Sequence, residues 1–293
     1  MDLPSKTLKK EREMAKFLVA LDGSTSFNRD LFQLSTDLFD NVEEHLFVGM
    51  LVKDVSYINT VSNYIGEPVM AEVAPAKGFL NEEDDVITEV ISQFEKTARD
   101  TNIRYEIYND FRLTAHEVIK QSTYADMLIL SYRVFFNYLT GKPDTSILYQ
   151  ILKGSKCPVL ILPKGTNKID NIIFTYDNKE SSVFAIRAFS SLFSGNIKNK
   201  IVSILSVMPN IDEEIKNEKL LLNLVKQHYH NVGMQLLEGN NISKEISNFA
   251  NSAQNPLVVM GAYGRSHISN LLIPSVAQYI LKKSNLPLFI AHR

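Results

Sequence analysis

Short runs of apolar residues, each closed by a polar or glycine position, alternate along this chain with stretches whose apolar residues recur every three or four positions. Apolar runs of this length bounded by turn residues predict buried β-strands. The first part of the chain contains five such runs, at residues 16–21, 46–52, 103–108, 126–130 and 158–162. The later part contains five more, at residues 171–176, 201–207, 234–237, 257–260 and 288–291.

The stretches between these strands have the period of amphipathic helices. Leu31, Leu34 and Leu38, for example, follow the first strand at helical spacing. Helices are predicted from about residue 26, at 81–100, 114–121, 146–153, 181–193, 212–229 and 243–250, and from about Pro274. Acidic residues at 82–85 and 212–214 suit the first turn of a helix, where the dipole favours negative charge. Residues 54–78, with several glycines and prolines, are predicted to be irregular.

The pattern of strands and helices occurs twice. Asp22 and Asp177 both follow the first strand of a copy, and Val52 and Val207 lie at the same separation of 155 residues (177 − 22). The sequence therefore predicts a first domain at residues 1–165, with an insertion at about 54–78, and a second domain at 166–293. Alternating strands and helices imply a parallel sheet with helices on both faces, which is an α/β fold.

Composition excludes several classes of protein. A net charge of −2 and a pI of about 6.3 argue against an electrostatic nucleic-acid binder. No apolar run approaches the length of a membrane span, and residues 1–14 lack the apolar core of a signal peptide. The single cysteine, Cys157, excludes an internal disulfide and is expected to be a small buried residue. These features predict a cytoplasmic protein that binds neither nucleic acid nor membrane.

The last strand–helix unit has the features of a phosphate site. The predicted strand at 257–260 ends at Gly261, Gly264 follows, and a helix begins near Pro274. Glycines allow the backbone to approach a ligand closely. The free N–H groups and the dipole at a helix start favour an anion, so Ser275 and Val276 would lie where a phosphate binds.

This stretch resembles the nucleotide loop of the universal stress protein family. That loop consists of a glycine, two residues, a second glycine, nine residues, and a glycine followed by serine or threonine. Gly261, Gly264 and Ser275 match it, whereas position 274 is proline. The resemblance extends in weaker form over nearly the whole chain. It implies two flavodoxin-like, Rossmann-like domains of the adenine nucleotide α-hydrolase type, each with a five-stranded parallel sheet of order 3-2-1-4-5.

The resemblance also implies a ligand site in the second domain. In family members that bind ATP, the aspartate after strand 1 contacts the adenosine, a valine in strand 2 lies beside the adenine, and the loop holds the phosphates. The matching residues for ATP or a related adenine nucleotide are Asp177, Val207, Gly261, Gly264, Arg265, Ser275 and Val276. Each also has a purely structural interpretation, as a turn aspartate, a core valine or a turn glycine.

Two departures from the family pattern weaken the nucleotide prediction. Pro274 has no N–H and a fixed φ, so one phosphate donor is lost, and Pro274→Gly is expected to strengthen binding. In the first copy, Ser131 and Val134 replace the two loop glycines, and aromatic residues follow. We therefore expect no phosphate site in the first domain, even though Asp22 is retained.

Catalysis has little support in the sequence. Motifs for a lysine-containing phosphate loop, a catalytic serine elbow or a cluster of metal ligands are missing, so we expect no catalytic residues, no metal site and at most weak ATP hydrolysis. An enzyme of the wider superfamily would need a loop rich in serine and glycine after strand 1, which residues 178–181 do not supply. Two functions stay open. The chain is either an ATP-binding regulator of the stress response or a stress protein that acts through an unknown protein partner.

The fifth strands predict how the copies assemble. Residues 159–162 and 288–291 are apolar, and such edges are a liability unless they are paired. Members of the family commonly dimerise through this strand, and the linker at 163–168 leaves directly from the first of the two. We predict an antiparallel pairing inside one chain, a pseudo-dimer that Ile161→Pro would separate. A further homodimer is compatible with this arrangement.

Overall fold

A computed structural model describes residues 14–21, 25–52, 77–108, 113–132, 136–137, 142–143, 145–193, 195–210, 215–261 and 275–291. Its strands are β1 (Lys16–Leu21), β2 (Leu46–Leu51), β3 (Arg104–Ile107), β4 (Met127–Ser131), β5 (Phe136–Asn137), β6 (Lys142–Pro143), β7 (Val159–Leu162), β8 (Asn171–Thr175), β9 (Ile201–Met208), β10 (Asn231–Glu238), β11 (Pro256–Gly261) and β12 (Leu288–Ala291). Its α-helices are α1 (Thr25–Leu38), α2 (Lys77–Asp100), α3 (Ala115–Gln121), α4 (Thr145–Gly154), α5 (Glu180–Leu192), α6 (Glu218–Lys226), α7 (Ile242–Ser252) and α8 (Ser275–Lys283).

Ten of the described strands form one continuous sheet. Its order is β10-β9-β8-β11-β12-β7-β4-β1-β2-β3. Counted from each outer edge of the sheet toward the middle, both halves have the order third, second, first, fourth and fifth strand. Neighbouring strands within each half are parallel. The α/β class predicted from the alternation of patterns is confirmed.

The two fifth strands join the halves, as predicted. β7 and β12 pair antiparallel within the chain, with Ile161 opposite Leu288, Leu160 opposite Phe289 and Val159 opposite Ile290. Because this one junction is antiparallel, the carboxyl ends of the two sets of strands point to opposite edges of the sheet. In open α/β sheets the ligand crevice lies outside the carboxyl ends of the strands, so the crevices of the two halves lie at opposite edges of this sheet.

Two apolar layers cover the sheet, and both continue across the junction. On one face, strand residues such as Phe17 and Phe174 pack with α1, α2, α5 and α6. On the other face, residues such as Leu18 and Ile173 pack with α3, α4, α7 and α8. This alternation is expected for strands buried on both sides.

Polar and aromatic contacts reinforce the junction on the first of these faces. Lys200 Nζ donates to both carboxylate oxygens of Asp37, at 2.7 and 2.8 Å. The rings of Phe39 and Phe193 stack with their centroids 5.0 Å apart. Helix α1 of the first half is thereby attached to the second half.

Several predicted boundaries are wrong. Helix α6 extends over Glu218–Lys226 instead of 212–229, β10 extends over Asn231–Glu238 instead of 234–237, and α2 begins at Lys77 instead of 81. The late start of α6 has a tertiary cause, because Lys216, just before this helix, hydrogen-bonds to residues that follow β8, and Asn217 adopts a left-handed φ of 58°. The predicted insertion at 54–78 lies almost entirely outside the described residues. Among the helices that the structure describes, none combines the length and apolarity that crossing a membrane requires.

Candidate functional site

The second half of the sheet reverses its winding at β8. This strand lies between β9 and β11, whose helices pack on the two opposite faces. In open α/β sheets, ligands bind at such a switch point, outside the carboxyl ends of the strands. Thr175 at the end of β8 donates its hydroxyl to the carbonyl of Val259 in β11, at 3.1 Å, and so ties the two strands together beside the crevice.

Asp177 lies at this edge, two residues beyond the end of β8. Its Oδ1 accepts the backbone N–H of Lys179 at 3.3 Å, and its Oδ2 pairs with the Lys179 ammonium at 3.1 Å. The first contact is typical of a turn aspartate. The carboxylate side chain is nevertheless 46% exposed, so a ligand can still reach it.

The residues on either side of Asp177 contact a distant segment. Tyr176 donates its hydroxyl to the carbonyl of Lys216 at 2.7 Å, and the N–H of Lys216 donates to the side-chain oxygen of Asn178 at 2.9 Å. Burial, and secondarily the charge of Asp177, raise the pKa of Tyr176 above its ordinary value. Sequence reasoning missed these three residues, because no local pattern relates positions 40 residues apart.

Gly261, the last residue of β11, lies against the start of α5. A Cβ at this position would collide with the backbone of Ser181 and Ser182. The glycine is therefore required by the close packing of a strand end on a helix start, a reason independent of any ligand. It also brings the end of β11 to the helix that begins three residues after Asp177.

Val207 and Val276 pack against the same apolar layer. Val207 lies in β9 opposite Leu237 of β10, and Val276 lies in the first turn of α8, directly after Ser275. Both valines are partly buried. Gly264, Arg265 and Pro274, and with them most of the predicted phosphate loop, lie outside the described residues.

The corresponding edge of the first half differs. Ser131, at the position of Gly261, is buried at the end of β4. Beyond it, Phe136 and Asn137 pair antiparallel with Pro143 and Lys142, a short ladder that the sequence did not predict. Asp22, Val134 and Tyr138 fall outside the described residues.

The described residues offer neither a cluster of metal ligands nor an exposed thiol. Among them, His, Cys, Asp and Glu residues form no group of three or more that could hold a metal ion. Cys157 is buried, and burial raises the pKa of its thiol to about 12. Burial and the raised pKa both disfavour the reactive thiolate at neutral pH.

Comparison with known proteins points to one family. Residues 202–292 match the model of the Universal stress protein family. None of the curated proteins compared with the chain matches it in sequence.

Three solved structures resemble the chain over almost its whole length. A universal stress protein from Archaeoglobus fulgidus is 15% identical, with a TM-score of 0.66 over 95% of this chain and 98% of that one. A protein from Pseudomonas aeruginosa described as a universal stress protein is 13% identical, with a TM-score of 0.57 over 95% and 93%. A Pseudomonas aeruginosa protein of unknown function is 12% identical, with a TM-score of 0.54 over 95% and 92%.

At these identities the likeness to solved structures is one of fold, and it extends over both halves because it covers 95% of the chain. The family match adds sequence support for most of the second half. Residues 202–292 therefore carry a universal stress protein domain, on a chain that has the fold of universal stress proteins.

Proposed function

We propose that the second half binds ATP or a related adenine nucleotide at the carboxyl ends of β8 and β11, and that the chain serves as a nucleotide-dependent regulator in a stress response. The observation that carries the proposal is the exposed carboxylate of Asp177 at the switch point, in a half whose later part matches a universal stress protein domain. The proposed site comprises Asp177, Val207, Gly261, Gly264, Arg265, Ser275 and Val276.

Each part of this site has a defined task. The Asp177 carboxylate accepts hydrogen bonds from the adenosine, and Val207 supplies an apolar contact for the base. The first-turn N–H groups of α8, which begins at Ser275, have no partner within the helix and are donors for a phosphate. Gly261 has an indirect task, since it allows β11 and α5 to approach each other beneath the ligand.

The test is calorimetric titration of the full-length chain with ATP. Asp177→Ala is expected to weaken binding about 10- to 100-fold, as for the loss of a hydrogen bond to a charged group. Asp170→Ala is the matched control. Asp170 lies just before β8, at the opposite edge of the sheet, where it contacts Lys168 and Asn255.

The control variant should retain the affinity of the unaltered chain within about two-fold. Equal losses in both variants would contradict a site at Asp177. Failure of the unaltered chain to bind any adenine nucleotide would contradict the proposal as a whole.

A second candidate function is protein binding without nucleotide. Two observations favour it. Pro274 removes a phosphate donor, and the packing of Gly261 on α5 accounts for that glycine without a ligand. Identification of any nucleotide that co-purifies with the chain, followed by thermal shift with and without it, separates this function from the first.

We also propose that the chain is not an enzyme beyond weak ATP hydrolysis. A colorimetric phosphate assay at saturating ATP measures this directly. Turnover faster than about 1 per second, the low end of typical enzymes, would contradict it.

A further inference from the structure

The backbone on the amino-terminal side of Asp177 is held by β9. The N–H of Tyr176 donates to the carbonyl of Leu205 at 2.9 Å, which continues the ladder one residue beyond β8. The hydroxyl of Ser206, a buried side chain, donates to the carbonyl of Tyr176, also at 2.9 Å. Both peptide groups of the residue before Asp177 are therefore fixed.

The side chains on both sides of Asp177 bind one peptide residue. Tyr176 donates to the carbonyl of Lys216, and Asn178 accepts from its N–H. We name this arrangement, formed by Tyr176, Asn178 and the backbone of Lys216, the Lys216 clasp. Asn178 has a left-handed φ of 61°, a conformation that asparagine tolerates better than most residues.

The first half cannot form a clasp of this kind. Leu21 and Gly23 stand 155 residues before Tyr176 and Asn178, on either side of Asp22. Neither side chain can donate or accept a hydrogen bond. The side chains that form the clasp thus belong to the half that retains both loop glycines, and Leu21 and Gly23 of the other half offer no equivalent hydrogen-bonding groups.

We propose that the Lys216 clasp positions Asp177 for the adenosine part of the ligand and holds the segment before α6 against the same crevice, an inference that rests on the nucleotide site proposed above. Tyr176 and Asn178 are positioning residues, since they act through Asp177. By fixing both neighbours of the aspartate, they set where its carboxylate meets the ligand. They also hold the turn that carries Asp177 to the peptide of Lys216, just before α6.

The experiment combines two clasp variants with a double-mutant cycle in the full-length chain. Tyr176→Phe removes the hydroxyl and keeps the ring, and Asn178→Gly removes the acceptor and keeps the left-handed φ. Asn285→Gly is the matched control, because Asn285 also has a left-handed φ, of 48°, but lies before β12 at the opposite edge. ATP affinity is measured by calorimetry, and hydrogen exchange of the Lys216 N–H reports the clasp itself.

Each clasp variant is expected to weaken ATP binding about 3- to 10-fold, the effect of one neutral hydrogen bond. In the Asp177→Ala background, Tyr176→Phe should cost nothing further, because a positioning residue acts only through its target. The Lys216 N–H should exchange faster in Asn178→Gly, and Asn285→Gly should match the unaltered chain in both measurements.

Faster exchange at Lys216 with unchanged ATP affinity would overturn the positioning role and leave the nucleotide site standing. The same would follow if Tyr176→Phe and Asp177→Ala had additive effects. If the unaltered chain binds no nucleotide, the proposed function fails, and the positioning role fails with it.

Discussion

Asn28, on α1, presents an unusual buried amide. The residue is 1% exposed, and neither its side-chain oxygen nor its side-chain nitrogen has a hydrogen-bond partner among the described residues. Leaving a buried polar group unpaired costs about 1–3 kcal/mol. Val183 of α5 stands 155 residues later, so the second half has an apolar side chain at the equivalent position.

We expect Asn28→Val to raise the free energy of unfolding by about 1–2 kcal/mol, because it removes an unpaired buried amide. The new side chain is the one that α5 has at the equivalent position, Val183. Urea unfolding followed by circular dichroism measures the change. Ser35→Ala is the control. Ser35 is buried on the same helix but donates to the carbonyl of Leu31 at 2.8 Å, so its loss should not stabilise the chain. A less stable Asn28→Val would show that the amide is paired in solution.

At the scale of elements, the contact between β11 and α5 organises the candidate site. The end of β11 approaches the start of α5 so closely that Gly261 has no room for a side chain. Helix α8, which carries Ser275 and Val276, then lies on the opposite face from α5. The end of β11 therefore packs on α5 at one face of the sheet, and the helix with the proposed phosphate donors, α8, lies on the other face.

Gly261→Ala is expected to lower the free energy of unfolding by about 1–3 kcal/mol, since the new methyl group displaces the backbone of α5. Gly233→Ala in β10 is the matched control, because a Cβ there meets no atom within 4 Å. Its effect should stay within about 0.5 kcal/mol. Equal effects of the two substitutions in chemical denaturation would contradict the close approach.

Pro274→Gly, directly before α8, is expected to strengthen ATP binding at least several-fold. The substitution restores a backbone N–H at the helix start, and a hydrogen bond to a charged phosphate contributes about 1.5–3 kcal/mol. Calorimetry on the full-length chain measures the change. Unchanged or weaker affinity would show that the helix start does not contact phosphate as the family pattern implies.

At the scale of the whole molecule, the two halves share one structure. The sheet is continuous through β7 and β12, and both apolar layers contain residues of both halves. Lys200 and Asp37 join helix α1 to the second half, with side chains only 11% and 26% exposed. An isolated half would expose its fifth strand and part of both layers, so the ligand experiments above use the full chain.

Ile161→Pro tests this continuity. Ile161 lies between Leu130 of β4 and Leu288 of β12 and is fully buried. A proline there removes a ladder donor in the middle of the sheet, so we expect the free energy of unfolding to fall by more than about 3 kcal/mol and the two halves to separate. Urea unfolding read by circular dichroism and by small-angle scattering measures this, with two separate transitions expected. A single transition in which both halves unfold together would contradict the separation.

The amino-acid sequence by itself determined the local elements and their repetition. The period of burial along the chain is enough to place strands and helices, because each depends on neighbours a few residues away. Two apolar fifth strands, together with the way members of the resembled family dimerise, predicted that β7 and β12 pair, since an unpaired apolar edge is unfavourable. The position of Asp177 at the switch point followed from the strand order that the family resemblance implied.

Only the tertiary structure decided the contacts between residues far apart in the chain. The sequence predicted a helix through Lys216, yet its peptide groups bond to Tyr176 and Asn178 instead. It indicated Gly261 as a place where the backbone can approach a ligand, and the structure adds that the backbone of α5 packs against this glycine. The period of apolar residues shows which face of a helix or strand is buried. It does not show which distant residues cover that face, because those contacts form only when the elements pack together.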